Sequence, residues 1–315
     1  MNELLLANKY KVQEVIYSGI NSKVCIGKHL YTNEIVIIKF EDSKTKNMLQ
    51  HEAEIYLYLM RQKLKMRIPK FKYYGILQNY NYIILEKMDY SLNDIIKKHK
   101  ITLDDTLKIG IQILELLSKF HSQRLIHRDI KPENIVFDKK GNVYLIDFGL
   151  STTYNLSYLV DTLETKSTKE FKEYLETKGT NKFVGNLDFS SPCIHDGYNY
   201  YPKDDVISLS YILLYIYFGK LPWTVFKYNS KKEEVIRLLK KNVDLECFFM
   251  DHSNISNEEY VNNPLFRFHL NISNSLFNTT IKYEKFKKYF KQFIKDKDTD
   301  IRTFSWNIKD TNIST

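Results

Sequence analysis

The chain has 315 residues, 43% of them hydrophobic and 27% charged, which supports a folded domain with its own core and excludes a disordered chain. Its three cysteines, Cys25, Cys193 and Cys247, are odd in number and scattered, which excludes a disulfide framework and a CxxC metal pair and points to a reducing, intracellular setting. The net charge of +9 is carried by lysine, 40 against 7 arginines, and glycine occurs only ten times.

From the N-terminus, the apolar run Leu4-Leu5-Leu6-Ala7 is too short for a secretion signal. Residues 12–16, 24–27 and 35–40 are β-branched runs bounded by turn signals, which predicts an antiparallel meander. A helix is expected over 45–62, where Ile55, Tyr56 and Leu59 lie one turn apart and Glu52 falls on the same stripe. Residues 82–85 read as a further buried strand. Helical spacing returns over 103–121, with Leu107, Ile111, Leu114 and Leu117 on one face, and short strands follow at 135–137 and 143–146 around the turn Asp138-Lys139-Lys140-Gly141. Residues 151–184 are polar and weakly patterned, as expected of a long functional loop. The nearly all-apolar segment 205–218 predicts a buried helix, too short for a membrane span. The last ninety residues hold lysine-rich amphipathic helices, such as 282–295 with Tyr283, Phe286, Tyr289, Phe290 and Phe293 inward. The sum is one α+β domain: a small antiparallel sheet lobe with one helix (10–88), a hinge near 86–90, a larger mainly helical lobe (89–307) and a short tail (308–315).

The densest chemistry is the string His127-Arg128-Asp129-Ile130-Lys131-Pro132-Glu133-Asn134, with Asp147-Phe148-Gly149 beginning thirteen residues beyond it. Taken singly, each residue is an ordinary turn or surface residue. At this spacing they supply what phosphoryl transfer from a nucleotide needs: a carboxylate near the attacking hydroxyl, a metal clamp on the phosphates and cations for the developing charge. Asp129 is placed to accept the hydroxyl proton, Asn134 and Asp147 to turn oxygens to magnesium, and Lys131 to put positive charge beside the transferred group. Upstream, Lys39 ends the buried run Val36-Ile37-Ile38, and Glu52 follows thirteen residues later on the helix. A lysine reaching phosphate oxygens needs such a counter-charge. Glu54 competes for that role, but it lies about 200° from Glu52 around the helix.

These motifs resemble those of eukaryotic protein kinases. The lysine two residues after Asp129 resembles serine/threonine kinases rather than tyrosine kinases or small-molecule kinases. Gly185-Asn186-Leu187-Asp188-Phe189-Ser190-Ser191 and its continuation Pro192-Cys193-Ile194-His195-Asp196-Gly197 stand where most kinases have an Ala-Pro-Glu segment. That replacement is similar to the casein kinase I group, including the vaccinia-related kinases. Glu52-Ala53-Glu54-Ile55-Tyr56, Ser91-Leu92-Asn93-Asp94 and Phe304-Ser305-Trp306-Asn307 agree with the group, so the resemblance runs from about Tyr10 to Asn307. It implies a bilobal fold and transfer of the γ-phosphoryl group of Mg-ATP to serine or threonine of protein substrates. By position, Gly19 would lie over the phosphates, Val24 and Val136 would sandwich the adenine beside Ile37, Glu86 and Met88 would bond it through backbone groups, and Leu85 would be the gatekeeper.

The phosphate-covering loop departs from the pattern. Tyr17-Ser18-Gly19-Ile20-Asn21-Ser22 keeps one of three expected glycines, so Tyr17 and Ser22 should stiffen or lift it and weaken ATP binding. This motivates the alternative of a weak or inactive pseudokinase scaffold, although all six polar catalytic residues (Lys39, Glu52, Asp129, Lys131, Asn134, Asp147) are present. The loop before Gly185 carries Thr165, Ser167, Thr168, Thr177 and Thr180, and Arg128 is the kind of residue that pairs with a phosphate there. Of the group's anion pocket, Gly219 and Lys227 match, but Asp188 stands where a basic residue is expected. The lysine clusters (Lys63, Lys65, Arg67, Lys70, Lys72, and 282–297) lie opposite apolar stripes with no nucleic-acid motif beside them. They read first as solvated surface and second as a preference for acidic protein substrates. No nucleic acid or membrane partner is expected, and the chain is expected to be a monomer.

Overall fold

The computed structural model describes residues 4–44, 47–62, 65–154, 181–224, 232–252, 262–275, 280–295, 297 and 299–306. Among them, β1 (Leu5–Leu6), β2 (Tyr10–Ser18), β3 (Ser22–His29), β4 (Ile35–Asp42), β5 (Phe71–Leu77) and β6 (Tyr80–Glu86) form one antiparallel sheet in the order β1-β2-β3-β4-β6-β5. Strand β4 sorts its side chains by the period-two rule. Val36, Ile38 and Phe40 pack on the outer face with Leu6, Tyr10, Cys25, Tyr82 and Ile84, which sends Ile37 and Lys39 to the opposite face. Strand β6 is buried on both sides: Tyr82 and Ile84 join that outer cluster, and Ile83 and Leu85 join the main core. The register Ile37↔Leu85 and Lys39↔Ile83 fixes which residues of the two strands are neighbours.

Helix α1 (Met48–Arg61) lies between β4 and β5 in the chain. Asn47 provides no side-chain cap, but the Glu41 carboxylate accepts from the Leu49 amide at 3.1 Å and satisfies one of the orphan donors. Leu49, Ala53, Tyr56 and Leu59 are buried on its inner stripe, and Glu52 is 1% exposed among them. Strand β5 went unread in the sequence because its residues are half-exposed on both faces and show no alternation.

Beyond β6 the chain becomes mainly helical. A short strand β7 (Tyr90–Ser91) leads into α2 (Leu92–Lys98) and α3 (Leu103–Ser122), whose starts are fixed by reciprocal capping boxes, Ser91 with Asp94 and Thr102 with Asp105. Strand β8 (Leu125–Ile126), the hairpin β9 (Ile135–Phe137) and β10 (Val143–Leu145), and β11 (Thr152–Thr153) carry the catalytic motifs between them. Helices α4 (Pro192–His195), α5 (Pro202–Phe218), α6 (Lys232–Asn242), α7 (Leu245–His252), α8 (Pro264–Ser273) and α9 (Tyr283–Phe293) complete the described part. Helix α5 is apolar all round because it is surrounded by core, with Val206, Leu209, Ile212 and Leu213 fully buried. From α9, Phe290 packs against Phe268 of α8 with ring centroids 5.0 Å apart. The chain then crosses α3: Lys108 Nζ donates to Thr303 O at 2.9 Å, Gln112 Nε2 to Ile301 O at 3.1 Å, and the Ser305 amide to Asp105 Oδ1 at 2.8 Å. The expected bilobal α+β arrangement, a curled antiparallel sheet with one helix followed by a helical part, is the one observed. No helix among the described residues is long and apolar enough to cross a membrane.

Candidate active site

A cavity of about 320 Å³ opens where the sheet meets the helical part. Ile16, Val24 and Ile37 line it from the sheet, Val136 and Ile146 from the hairpin side, and Leu85, Glu86 and Met88 from the connection between them. All the residues expected around a purine ring are therefore brought together. The Glu86 carboxylate turns toward β5, accepting from the Lys70 amide at 3.0 Å, so what Glu86 can offer the cavity is backbone.

Next to this cavity, Lys39 Nζ lies 2.9 and 3.1 Å from the two Glu52 oxygens and 3.1 Å from Asp147 Oδ1. Glu54 is not the partner; it is exposed and accepts from Gln50. Burial opposes the charge on Lys39, but Asp147 and Glu52 outweigh it and hold the ammonium well above the usual lysine range. Lys39 in turn holds Asp147 below the usual carboxylate range, while burial raises Glu52 against the pull of the lysine.

Asp129 is 6% exposed. Its Oδ2 accepts from Lys131 Nζ at 2.6 Å and from Asn134 Nδ2 at 2.9 Å, and its carbonyl accepts from the same Asn134 nitrogen at 2.9 Å. With its nitrogen committed in this way, Asn134 presents its amide oxygen outward. Asp147 engages Lys39 through Oδ1 and is 43% exposed as a side chain, so its second oxygen faces accessible space. An amide oxygen and a carboxylate oxygen are a fitting partial shell for a hard divalent cation completed by phosphate oxygens. Among the described residues no group of three or more His, Cys, Asp or Glu could hold a metal by itself.

The loop bearing Asp129 is held from beneath. Asp205, 1% exposed, accepts from the His127 amide at 2.7 Å, the Arg128 amide at 2.9 Å and His121 Nε2 at 2.9 Å. Burial would raise Asp205, but these bonds and the two imidazoles outweigh it and lower its pKa. Arg128 and Asp147 both have left-handed backbones, with φ 67° and 68°. Such strain in non-glycine residues persists only where the surroundings impose it. At Asp147 the cause is visible: Phe148 is fully buried in a column of rings, 5.0 Å from Tyr56, 5.4 Å from Phe120 and 5.5 Å from His127. Antiparallel pairing of β8 with β11 then carries the chain away from the site.

The β2–β3 tip is built around Gly19. Gly19 does not adopt a left-handed φ; what glycine supplies there is room, since a Cβ would come within 2.9 Å of the Tyr17 hydroxyl and 3.3 Å of Ser22 Oγ. The Gly19 amide donates to Ser22 O at 2.8 Å, and the Ile20 side chain at the tip is 99% exposed. Asp188, in place of a basic residue, lies 3.7 Å from Lys232. Within the lysine clusters, Lys72 pairs with Glu34 at 2.6 Å and Arg67 with Glu115 at 3.5 Å. Thr165, Ser167, Thr168, Thr177, Thr180, Lys227, Lys63 and Asn307 lie outside the described residues.

Three functional-looking residues were missed in the sequence. His51 Nε2 bonds Ser151 O at 2.7 Å and ties α1 to the segment after Asp147. Tyr200 lies against Arg128, with the guanidinium 5.5 Å from its ring centre. Lys240 is buried on α6 and donates to Leu187 O and Ser190 O, each at 2.6 Å. Only Lys240 left a signal: it stands four residues after the buried Ile236, on the inward stripe of an amphipathic helix.

A lysine clamped between two carboxylates beside a ring-sized cavity, with a carboxylate–lysine pair at its edge, provides for both ends of a phosphoryl transfer. This is the site of a phosphotransferase that uses ATP and a divalent metal. The family model of the protein kinase domain matches residues 10–296, and the chain belongs to that family.

Proposed function

We propose that the chain is a serine/threonine protein kinase of the casein kinase I type, transferring the γ-phosphoryl group of Mg-ATP to hydroxyls of protein substrates. The observation that carries this reading is the contact of Lys131 Nζ with Asp129 Oδ2 at 2.6 Å, beside the Lys39–Glu52 pair. Asp129 takes the proton from the attacking hydroxyl, and Lys131 faces the charge that builds on the transferred group. Lys39, held by Glu52, reaches the phosphate oxygens of the nucleotide. Asn134 and Asp147 would hold magnesium, which would draw charge from the phosphates. The sequence 185–197 and the Ser91 and Trp306 stretches support the casein kinase I assignment. An intracellular location is part of the same reading and is supported by three free cysteines.

The test incubates the protein and its Asp147→Asn variant with Mg-ATP and casein, then identifies the phosphorylated amino acids. The expected result is phosphoserine and phosphothreonine from the wild type only. Equal background transfer from both, with nucleotide still bound, overturns the enzyme reading in favour of a scaffold. A companion variant, Asp129→Asn, is expected to lose about 10²-fold or more in kcat with little change in ATP KM.

A further inference from the structure

An arginine guanidinium taken out of water needs partners, and in kinases that need is met when a loop phosphate arrives and orders its segment. Here Arg128 already has partners of another kind. Its Nε donates to Leu150 O at 2.5 Å, and its guanidinium lies 5.5 Å from the centre of the Tyr200 ring. Such a cation held over an aromatic face is stabilised by the ring, and here the Asp205 carboxylate adds to it. The same tyrosine also reaches in the other direction: its hydroxyl donates to Val184 O. Beside it, Gly185 has φ +112°, and a Cβ there would lie 2.6 Å from Arg128 O and 3.0 Å from the Tyr200 hydroxyl. The chain at 184–185 therefore runs directly against the backbone of the catalytic loop, and Tyr200 fills the corner between them.

The neighbouring contacts repeat this docking without charge. The Asn181 amide donates to Gly197 O at 3.2 Å, Asn181 Nδ2 to Asn199 Oδ1 at 2.9 Å, and the Phe183 ring stacks on His195 at 4.7 Å. Residues 181–185 are thus fastened to α4 and the loop preceding α5, and Tyr200 of that loop also holds Arg128.

We propose that Tyr200 is a positioning residue that permanently does what a loop phosphate does by modification: it couples Arg128 to residues 184–190, so the catalytic loop and the adjoining segment stay in register in the unphosphorylated protein. The proposal rests on the kinase reading above. A phosphate bridges two segments because it has several acceptor oxygens. Tyr200 bridges them because its two ends differ, a π-face for the arginine and a hydroxyl for the Val184 carbonyl.

The experiment uses phosphatase-treated full chain, confirmed phosphate-free by intact mass, and compares wild type with Tyr200→Leu and Tyr200→Phe. Amide hydrogen exchange over 181–190 is the first readout, because it needs no phosphoryl transfer; kcat and ATP KM are the second. Phosphate-free wild type is expected to keep kcat within about twofold of untreated protein, with 184–190 protected. Tyr200→Leu is expected to lose about tenfold in protection there and about tenfold in kcat, with ATP KM unchanged. Tyr200→Phe keeps the ring over Arg128 but loses the hydroxyl, so exchange at 184–185 rises severalfold while kcat falls less than in the leucine variant. A tenfold loss of kcat on phosphate removal overturns the proposal, as does exchange in both variants equal to wild type. A protein that transfers no phosphate in any form fails the kinase reading instead, and the exchange measurements still decide whether Tyr200 makes the bridge.

Discussion

Lys240 puts an amine into the interior of the helical part, 8% exposed. Its amine has the carbonyls of Leu187 and Ser190 at 2.6 Å, His195 Nε2 at 3.2 Å, and the faces of Trp223 and Tyr211 at 5.2 and 5.4 Å. Burial depresses its pKa well below that of an ordinary lysine, and burial with Lys240 nearby pushes His195 down to about 3, so the imidazole stays neutral and accepts. In Lys240→Met two buried carbonyls lose their donor, at about 1–3 kcal/mol each, partly offset because the buried amine is gone. The expected net is a loss of about 2–4 kcal/mol in urea unfolding, with an unchanged KM for ATP. A variant as stable as wild type would mean that the two carbonyls find other donors. Tyr17 acts on the opposite side of the site. Because its hydroxyl lies over Gly19, Tyr17→Gly frees the tip and is expected to lower the ATP KM severalfold, read from initial rates against ATP concentration; an unchanged KM means the tip does not limit binding. The candidate-site residues Lys39, Glu52, Asp129, Lys131 and Asn134 were legible in the sequence because phosphoryl transfer would fix their types and spacing, and the fold brings them together. Tyr200 and His51 were not, because ring-to-guanidinium and imidazole-to-carbonyl contacts join residues far apart in the chain and leave no local pattern.

Helix α1 is positioned by three contacts of different chemistry. Glu52 pairs with Lys39, His51 bonds Ser151 O, and Tyr56 packs on Phe148. Only the first was expected from sequence, since helical periodicity chooses between Glu52 and Glu54 but does not say what the outer residues meet. The segment that crosses α3 is the other element with a clear energetic role. Phe304 and Trp306, each 6% exposed, stack at 4.6 Å, and Phe304 meets Phe137 edge-on at 5.7 Å. Trp306→Ala is expected to cost about 3–5 kcal/mol in denaturant unfolding, the range for removing a large buried aromatic. Loss of less than about 1 kcal/mol would show that the segment is peripheral to stability.

For the whole molecule, acid sensitivity follows from buried histidines. His269 lies between Ser210 Oγ at 2.9 Å and Ser273 Oγ at 3.3 Å, and burial lowers its pKa from 6.5 to about 4; His195 goes to about 3. A histidine depressed in the folded state takes its proton first in the unfolded chain. Its contribution is therefore complete above about 6.5 and is lost as pH falls toward 4 and below. Asp204, which burial raises to about 6, works in the opposite sense between 6 and its unfolded value of 3.8. Urea midpoints are expected to fall from pH 7.5 to pH 5, and His269→Gln to flatten that slope; parallel slopes would remove His269 as a cause. At this scale the sequence was most informative about architecture. The two lobes announce themselves by their different periodicities, whereas the docking of residues 181–185 on 197–200 depends on contacts that no periodicity records.

The crossing of α3 also bears on the order in which the protein assembles. Gln112, fully buried, donates to both Gly141 O and Ile301 O and accepts from the Val143 amide at 3.0 Å. Two of these partners lie within 31 residues of it, but the third is 189 residues away, and Asp105 waits for Ser305 across 200. During synthesis α3 and the β9–β10 hairpin emerge early, with polar side chains whose last partners are not yet made. Closing a loop of that length is slow compared with forming the helix it closes on. The helical lobe should therefore persist on the ribosome as a loosely packed body, prone to chaperone capture, until the Ile301–Ser305 stretch arrives and completes its polar interior.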